Sequence, residues 1–251
     1  MTPAVALFDL FLVIHIVAGA VGLVAFWVPV FGRKGGDAHR RWGRVFARCI
    51  MAAGVCAVVM SLVTLGWPLD THPKLTDAAM VRGLFGWMML YLAALTISLV
   101  WHGMSAVALK NRHGEHRRWL PVALQLLVVA LALNCAIQGL RIGQPLMMGI
   151  SIVGFASAGT NLWFMFARAP WRLQHLIEHF KASVGAGISV YTAFFAFGAV
   201  RLHPSSAFDP LLWAAPLCVG LGIIFWHFAK TMRLKRRVAQ RPPGNAPARG
   251  T

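Results

Sequence analysis

Apolar side chains fall in long runs along the chain, over about 5–31, 43–67, 83–109, 119–140, 145–167, 182–200 and 210–229, with short polar gaps between them. A helix needs about 20 apolar residues to cross the hydrocarbon core of a bilayer, and runs of that kind recur here seven times. Backbone groups in lipid must be satisfied within the segment, so the runs predict helices; none has the alternation of a barrel strand. The pattern predicts an all-α fold: a polytopic membrane helical bundle with seven transmembrane helices over residues 1–237. The last stretch, 238–251, reads VAQRPPGNAPARGT, polar and rich in Pro and Gly, and predicts a disordered cytoplasmic tail.

Composition agrees. Of 251 residues, 58% are hydrophobic and 12% charged, against roughly 25% charged in soluble domains, and mean hydropathy is +0.66. The first run has no basic n-region and continues to Phe31, too long for the apolar core of a signal peptide, so it predicts a retained helix. A net charge of +17 raises nucleic acid as a partner, but that needs a basic face on a soluble domain; here the basic residues sit in the gaps between apolar runs, and no nucleic-acid partner is expected. Cys49, Cys56, Cys135 and Cys218 lie within apolar runs and form no CxxC pair, so neither a disulfide framework nor a zinc ribbon is indicated.

Charge also orients the bundle. All but Lys74, Arg82, Arg141 and Arg201 of the 24 lysines and arginines fall in the first, third and fifth gaps or after the seventh run. Cytoplasmic loops carry that excess, which places the N-terminus outside and the C-terminus in the cytoplasm. Tryptophans mark both interfaces, Trp67, Trp87 and Trp213 at the outer ends and Trp27, Trp101, Trp119, Trp163 and Trp226 at the inner. The lipid bilayer, with anionic headgroups on the cytoplasmic side, is the expected partner.

The stretches WHGMSAVALKNR (101–112) and WHFAKTMRLKRR (226–237) share Trp, His, Leu, Lys and Arg at the same offsets and close the third and seventh runs. An offset of four helices preserves orientation, so runs one to three and five to seven suggest a 3+1+3 parallel pseudo-repeat. It would set His102 and His227 at equal depth, where two neutral imidazoles on facing helices are candidate axial ligands of haem b, with His179 a competing ligand. The bland alternative is an interfacial belt of Trp and His with no ligand.

Four other features carry candidate chemistry. His15 lies roughly 10 to 15 Å into the first run at 1.5 Å per residue, a depth at which ionisable groups are functional candidates, and Gly19 leaves space one turn on; a hydrogen bond to another helix explains it equally. In RKGGDAHRRWGR, Lys34, His39, Arg40 and Arg44 form a cationic cluster suited to an anionic group or a lipid headgroup. HLIEH (175–179) matches a zinc-peptidase spacing, but without a third ligand it reads better as an amphipathic interfacial turn leading into the sixth run. No metal beyond a haem iron is expected. Small residues at Ala182, Gly185, Ala186 and Ser189 predict close helix packing, and Gln125, Asn134 and Gln138 give the fourth run a polar spine.

IHIVAGAVGL in the first run, KGGDAHRRWGRVF entering the second and HFKASVGAGISVYTAF entering the sixth together resemble an uncharacterised family of predicted bacterial multi-pass membrane proteins, a domain of unknown function with a KGG-x-x-HR-x-x-G loop after helix one. The resemblance implies the bacterial inner membrane and singles out His15, His39, Arg40 and His179. Ser183 departs from it, standing where a methionine is usual one turn after the sixth-run histidine. It implies no activity. Two classes of function follow from the residues: a haem- or quinone-linked redox membrane module using His15, His102, His179 and His227, or a small-molecule transporter or membrane binding protein. An enzyme without a cofactor ranks third, because no intramembrane carboxylate stands at a recognisable spacing from a histidine; Asp9, six residues from His15, is at the outer end of its run.

Overall fold

A computed structural model describes residues 2–198 and 210–239. Every regular element among them is helical. Helix α1 (Pro3–Phe31) starts with Thr2 accepting a hydrogen bond from the Val5 amide and Pro3 in the first turn, where its missing N–H is no loss. The chain then turns at Gly35, whose φ of 76° favours glycine, into α2 (Asp37–Gly66). Two short helices, α3 (Pro68–Thr71) and α4 (Ala78–Val81), cross one end of the bundle; Asp77 caps α4 through the amides of Ala79 and Met80. Helix α4 runs on through a wider π turn, Arg82–Met88, into α5 (Met89–Ala108). A 3-10 turn, His113–Arg117, leads to α6 (Trp119–Arg141) and α7 (Pro145–Phe166). Then come α8 (Gln174–Ala193), extended by a π turn at Phe194–Gly198, and α9 (Pro210–Ala239).

Helix α5 is the centre. It packs on α2, α6, α7 and α8 and buries Tyr91, Leu95, Leu99, Val100 and His102 among others. Helix α8 lies in the second rank, against α5, α9 and α1. Its three faces divide by sequence. Ala182 and Ala186 are fully buried and Ser189 Oγ is 2.5 Å from Thr96 Oγ1 of α5, the close packing expected of those small residues. Tyr191 takes the Trp27 indole hydrogen bond from α1 and donates to the Leu23 carbonyl. Phe180 meets His227 of α9.

Outward faces are apolar, as at Leu10, Val13, Val17 and Val24 of α1 and Leu126, Leu133 and Leu140 of α6. Such surface is stable against lipid and not against water, and six helices are long and apolar enough to cross a bilayer. The protein is a membrane-embedded helical bundle. The sixth run is the one without a match among those six. Helix α8 begins eight residues before that run, and its first two turns carry Gln174, His175, Glu178, His179 and Lys181. The stretch expected as an interfacial turn is thus part of the helix. The expected tail lies, from residue 240 on, outside the described residues, as does Arg201.

Candidate functional site

Four basic segments meet at one end of the bundle. His39 in the first turn of α2 faces His179 of α8, with ring centroids 6.3 Å apart. The 113–117 turn docks on the end of α7: Arg117 donates to the Met165 and Ala167 carbonyls (both 3.0 Å) and His113 Nε2 lies 3.1 Å from Ala167 O. These bonds use carbonyls that a helix C-terminus leaves unpaired. Lys235 of α9 lies over the Trp171 ring at 4.8 Å.

Beneath these loops is a buried ion-pair network. His102, 0% exposed, places Nε2 3.2 Å from Glu178 Oε2, and the same oxygen is 2.5 Å from Lys181 Nζ, one turn along α8. An ionised Glu178 accepts from both, so Nε2 carries the proton and Nδ1 is left an acceptor. His102 Nδ1 is buried with no hydrogen-bond partner among the described residues. Gly103 makes this crossing close: a Cβ there would lie 3.0 Å from Ser183 Oγ and 3.2 Å from Ala182 Cβ. Ser183 thus lies against α5.

Phe164 of α7 closes the other side, edge-on to His102 at 5.7 Å and to His113 and His116 at 4.9 and 5.3 Å. His116 is 1% exposed, with its ring 6.3 Å from that of His102. Burial first, and then the repulsion that His102 and His113 would exert when protonated, push its pKa down to about 4. Deeper by one turn, Ser98, Gln125 and Asn161 join α5, α6 and α7: Gln125 donates to Ser98 at 2.9 Å and accepts from Asn161 at 3.1 Å. Asn161 Oδ1 is a second buried acceptor without a partner among the described residues. Of the polar spine expected in the fourth run, Gln125 joins this network, while Asn134 and Gln138 bond each other at 3.4 Å.

The other sequence-identified residues are placed as follows. His227 packs on Phe180, two positions along α8 from Glu178, which His102 contacts. Two residues on a helix lie about 200° apart, so the two histidines touch opposite faces of α8 and do not form the facing pair that haem b would need. The echoed sequences also have unlike surroundings, His102 being fully buried and His227 half-buried. His179 bonds the Gly103 carbonyl through Nδ1 at 2.7 Å, and His15 bonds the Ala53 carbonyl of α2 at 2.8 Å. Both contacts join helices. His175, His179 and Glu178 face different neighbours, and among the described residues no three metal-binding side chains converge.

Lys34 donates to the Pro29 and Val30 carbonyls and His39 to that of Pro29, so both close the end of α1. Arg40 pairs with Asp37, and Arg44 is exposed. The sequence shows no intramembrane carboxylate at a recognisable catalytic spacing from a histidine, and the fold instead pairs His102 with Glu178 across 76 residues. Its signal in the sequence was an acid at a run's edge, one turn from Lys181, in a chain with seven acidic residues. His113 and His116 carried no signal of their own. No protein-family model, no curated protein and no solved structure matches this chain.

Proposed function

We propose that the chain is a seven-helix protein of the bacterial inner membrane, with its N-terminus outside and its C-terminus in the cytoplasm, and that it is a proton-linked carrier or binding protein for a small solute. One observation carries the functional part: a carboxylate and an imidazole are buried together in an apolar bundle, with a half-buried ammonium on the same carboxylate oxygen. Ionisable groups inside a membrane protein are expensive and mark substrate or proton paths. Glu178 and His102 share a hydrogen bond along which a proton can change owner, and the unpartnered acceptors at His102 Nδ1 and Asn161 Oδ1 suit a water donating to each. The basic loops and the resemblance to a bacterial multi-pass family support the location and orientation.

The test is proton uptake by liposomes carrying the purified protein and an enclosed pH dye, driven by a potassium diffusion potential. Uptake above protein-free liposomes is expected, abolished by Glu178→Gln and kept by Asp37→Asn at the exposed pair. A wild-type rate equal to the lipid background overturns the proposal. The redox alternative rests on no contact in this site; a Soret band in the purified protein, lost on His102→Ala, would restore it.

A further inference from the structure

Directly above the His102–Glu178 pair the loops leave a cleft of about 70 Å³, lined by Lys110, His116, Phe164, Trp171, Arg172 and His175. Its charge is one-sided. Lys110 and Arg172 are exposed at the rim, His175 and His116 stand on the wall, and no carboxylate lines it. The nearby acids are already engaged, Glu178 with His102 and Lys181, and Glu115 with Arg118 at 2.8 Å. His116 is buried to 1% exposure, with ring contacts to His102, His113 and Phe164, and it lines the cleft. An imidazole on the wall of a cationic pocket can donate a hydrogen bond to an acceptor bound there.

We infer that the cleft is a binding site for a small oxyanion, a phosphate or carboxylate group, held by Lys110 and Arg172 and hydrogen-bonded by His116. Two cations fix the charge, and the planar guanidinium of Arg172 matches two oxygens of one group. Phe164 and Trp171 wall the site and lower the local dielectric, which strengthens each contact. The volume suits a phosphate-sized group and excludes a porphyrin or a nucleotide.

Binding should take up a proton. The charged and titratable groups around His116 are His102 from α5, Lys110 from the turn after α5, His113 from its own turn, and Glu178 and His175 from α8, with Arg172 from the segment before α8. Burial is the first cause that holds His116 neutral, and Lys110 and Arg172 add positive charge at the cleft. An anion in the cleft reverses that local field and favours the imidazolium.

The oxyanion has two sources, a free solute or a lipid headgroup, and the inference deepens the carrier reading above by naming what the site accepts. Equilibrium binding to full-length protein tests it without requiring flux, so it stands or falls apart from the proton-uptake assay. In one arm, inorganic phosphate is titrated into detergent-purified protein by calorimetry at pH 6 and pH 8. In the other, protein in nanodiscs of pure phosphatidylcholine is compared with nanodiscs containing phosphatidylglycerol, with Trp171 fluorescence read against Trp171→Phe. Saturable binding in either arm is expected, weakened at least tenfold by Arg172→Gln with Lys110→Gln. The ratio of affinity at pH 6 to that at pH 8 should be higher in wild type than in His116→Gln, because the titration of phosphate itself is common to both. Saturation by phosphate assigns a free solute, and a response to phosphatidylglycerol alone assigns a headgroup. Absence of binding in both arms, or equal binding by the double variant, overturns the inference; both changed side chains are exposed, so misfolding does not confound it.

Discussion

Glu178 answers to two partners at once, and single and joint substitutions should behave oppositely. Removing one member of a buried ion pair leaves the others uncompensated and costs about 3–5 kcal/mol, whereas replacing the whole group with apolar side chains of similar volume is often neutral. Glu178→Leu should therefore lower the melting temperature of the detergent-purified protein sharply. His102→Leu with Glu178→Leu and Lys181→Met should recover most of the loss while remaining inactive in proton uptake. A triple variant as unstable as the single one would mean that the network is held by something other than its own charges. His116 adds a pH dependence. Its folded pKa of about 4 lies below the ordinary 6.5, so between those values the unfolded chain binds more protons and stability falls as pH falls. At about 1.4 kcal/mol per pKa unit, the loss is at most about 3.5 kcal/mol. Melting curves from pH 7.5 down to pH 4.5 should decline more steeply in wild type than in His116→Gln. None of this coupling was legible in the chain, because His102 and Glu178 are 76 residues apart and only packing joins them. Lys34 and His39 show the converse: their cationic cluster was plain in the sequence, and the carbonyls at the end of α1 that occupy them were not.

Helix α8 owes its place to small residues on one face and aromatic ones on the others, and glycine substitutions separate contact from mere helix propensity. At Gly103 a new Cβ would press on Ser183 and Ala182 across the α5–α8 crossing. Gly103→Ala should cost about 1–3 kcal/mol by overpacking, and Ser183→Gly in the same chain should recover part of it, a coupling that a double-mutant cycle measures directly. At Gly19 a Cβ would meet nothing within 4 Å. Gly19→Ala should therefore be neutral or stabilising by up to about 1 kcal/mol, and a large loss would show that the space beside His15 is used. The long apolar elements were legible because twenty apolar residues in a row leave few alternatives to a helix. Helix α8 was misjudged at its start because its first two turns are polar and its shielding comes from α1, α5 and α9, which no local pattern reports.

That shielding decides the topology of the whole molecule. A helix facing lipid needs an apolar perimeter, but α8 presents its polar turns to α5 and to the loops at the basic end, and its remaining length from Ala182 to Gly198 is made of small, β-branched and aromatic residues. Hydropathy alone scores six crossing helices, which would leave both termini on one side. If α8 crosses as well, the termini lie on opposite sides. Contacts already place the loops after α1, α5 and α7 beside Lys235 and the end of α9, while Arg82 and His72 meet Leu65, Phe8 and Phe85 at the other end. Pairing those loops at one end requires α8 to carry the chain away and α9 to bring it back. A reporter fused after Arg237 should therefore read cytoplasmic, and one placed ahead of Thr2 should read external. Both reporters on the same side would remove α8 from the crossing helices and, with it, the premise that Glu178 is enclosed within the membrane.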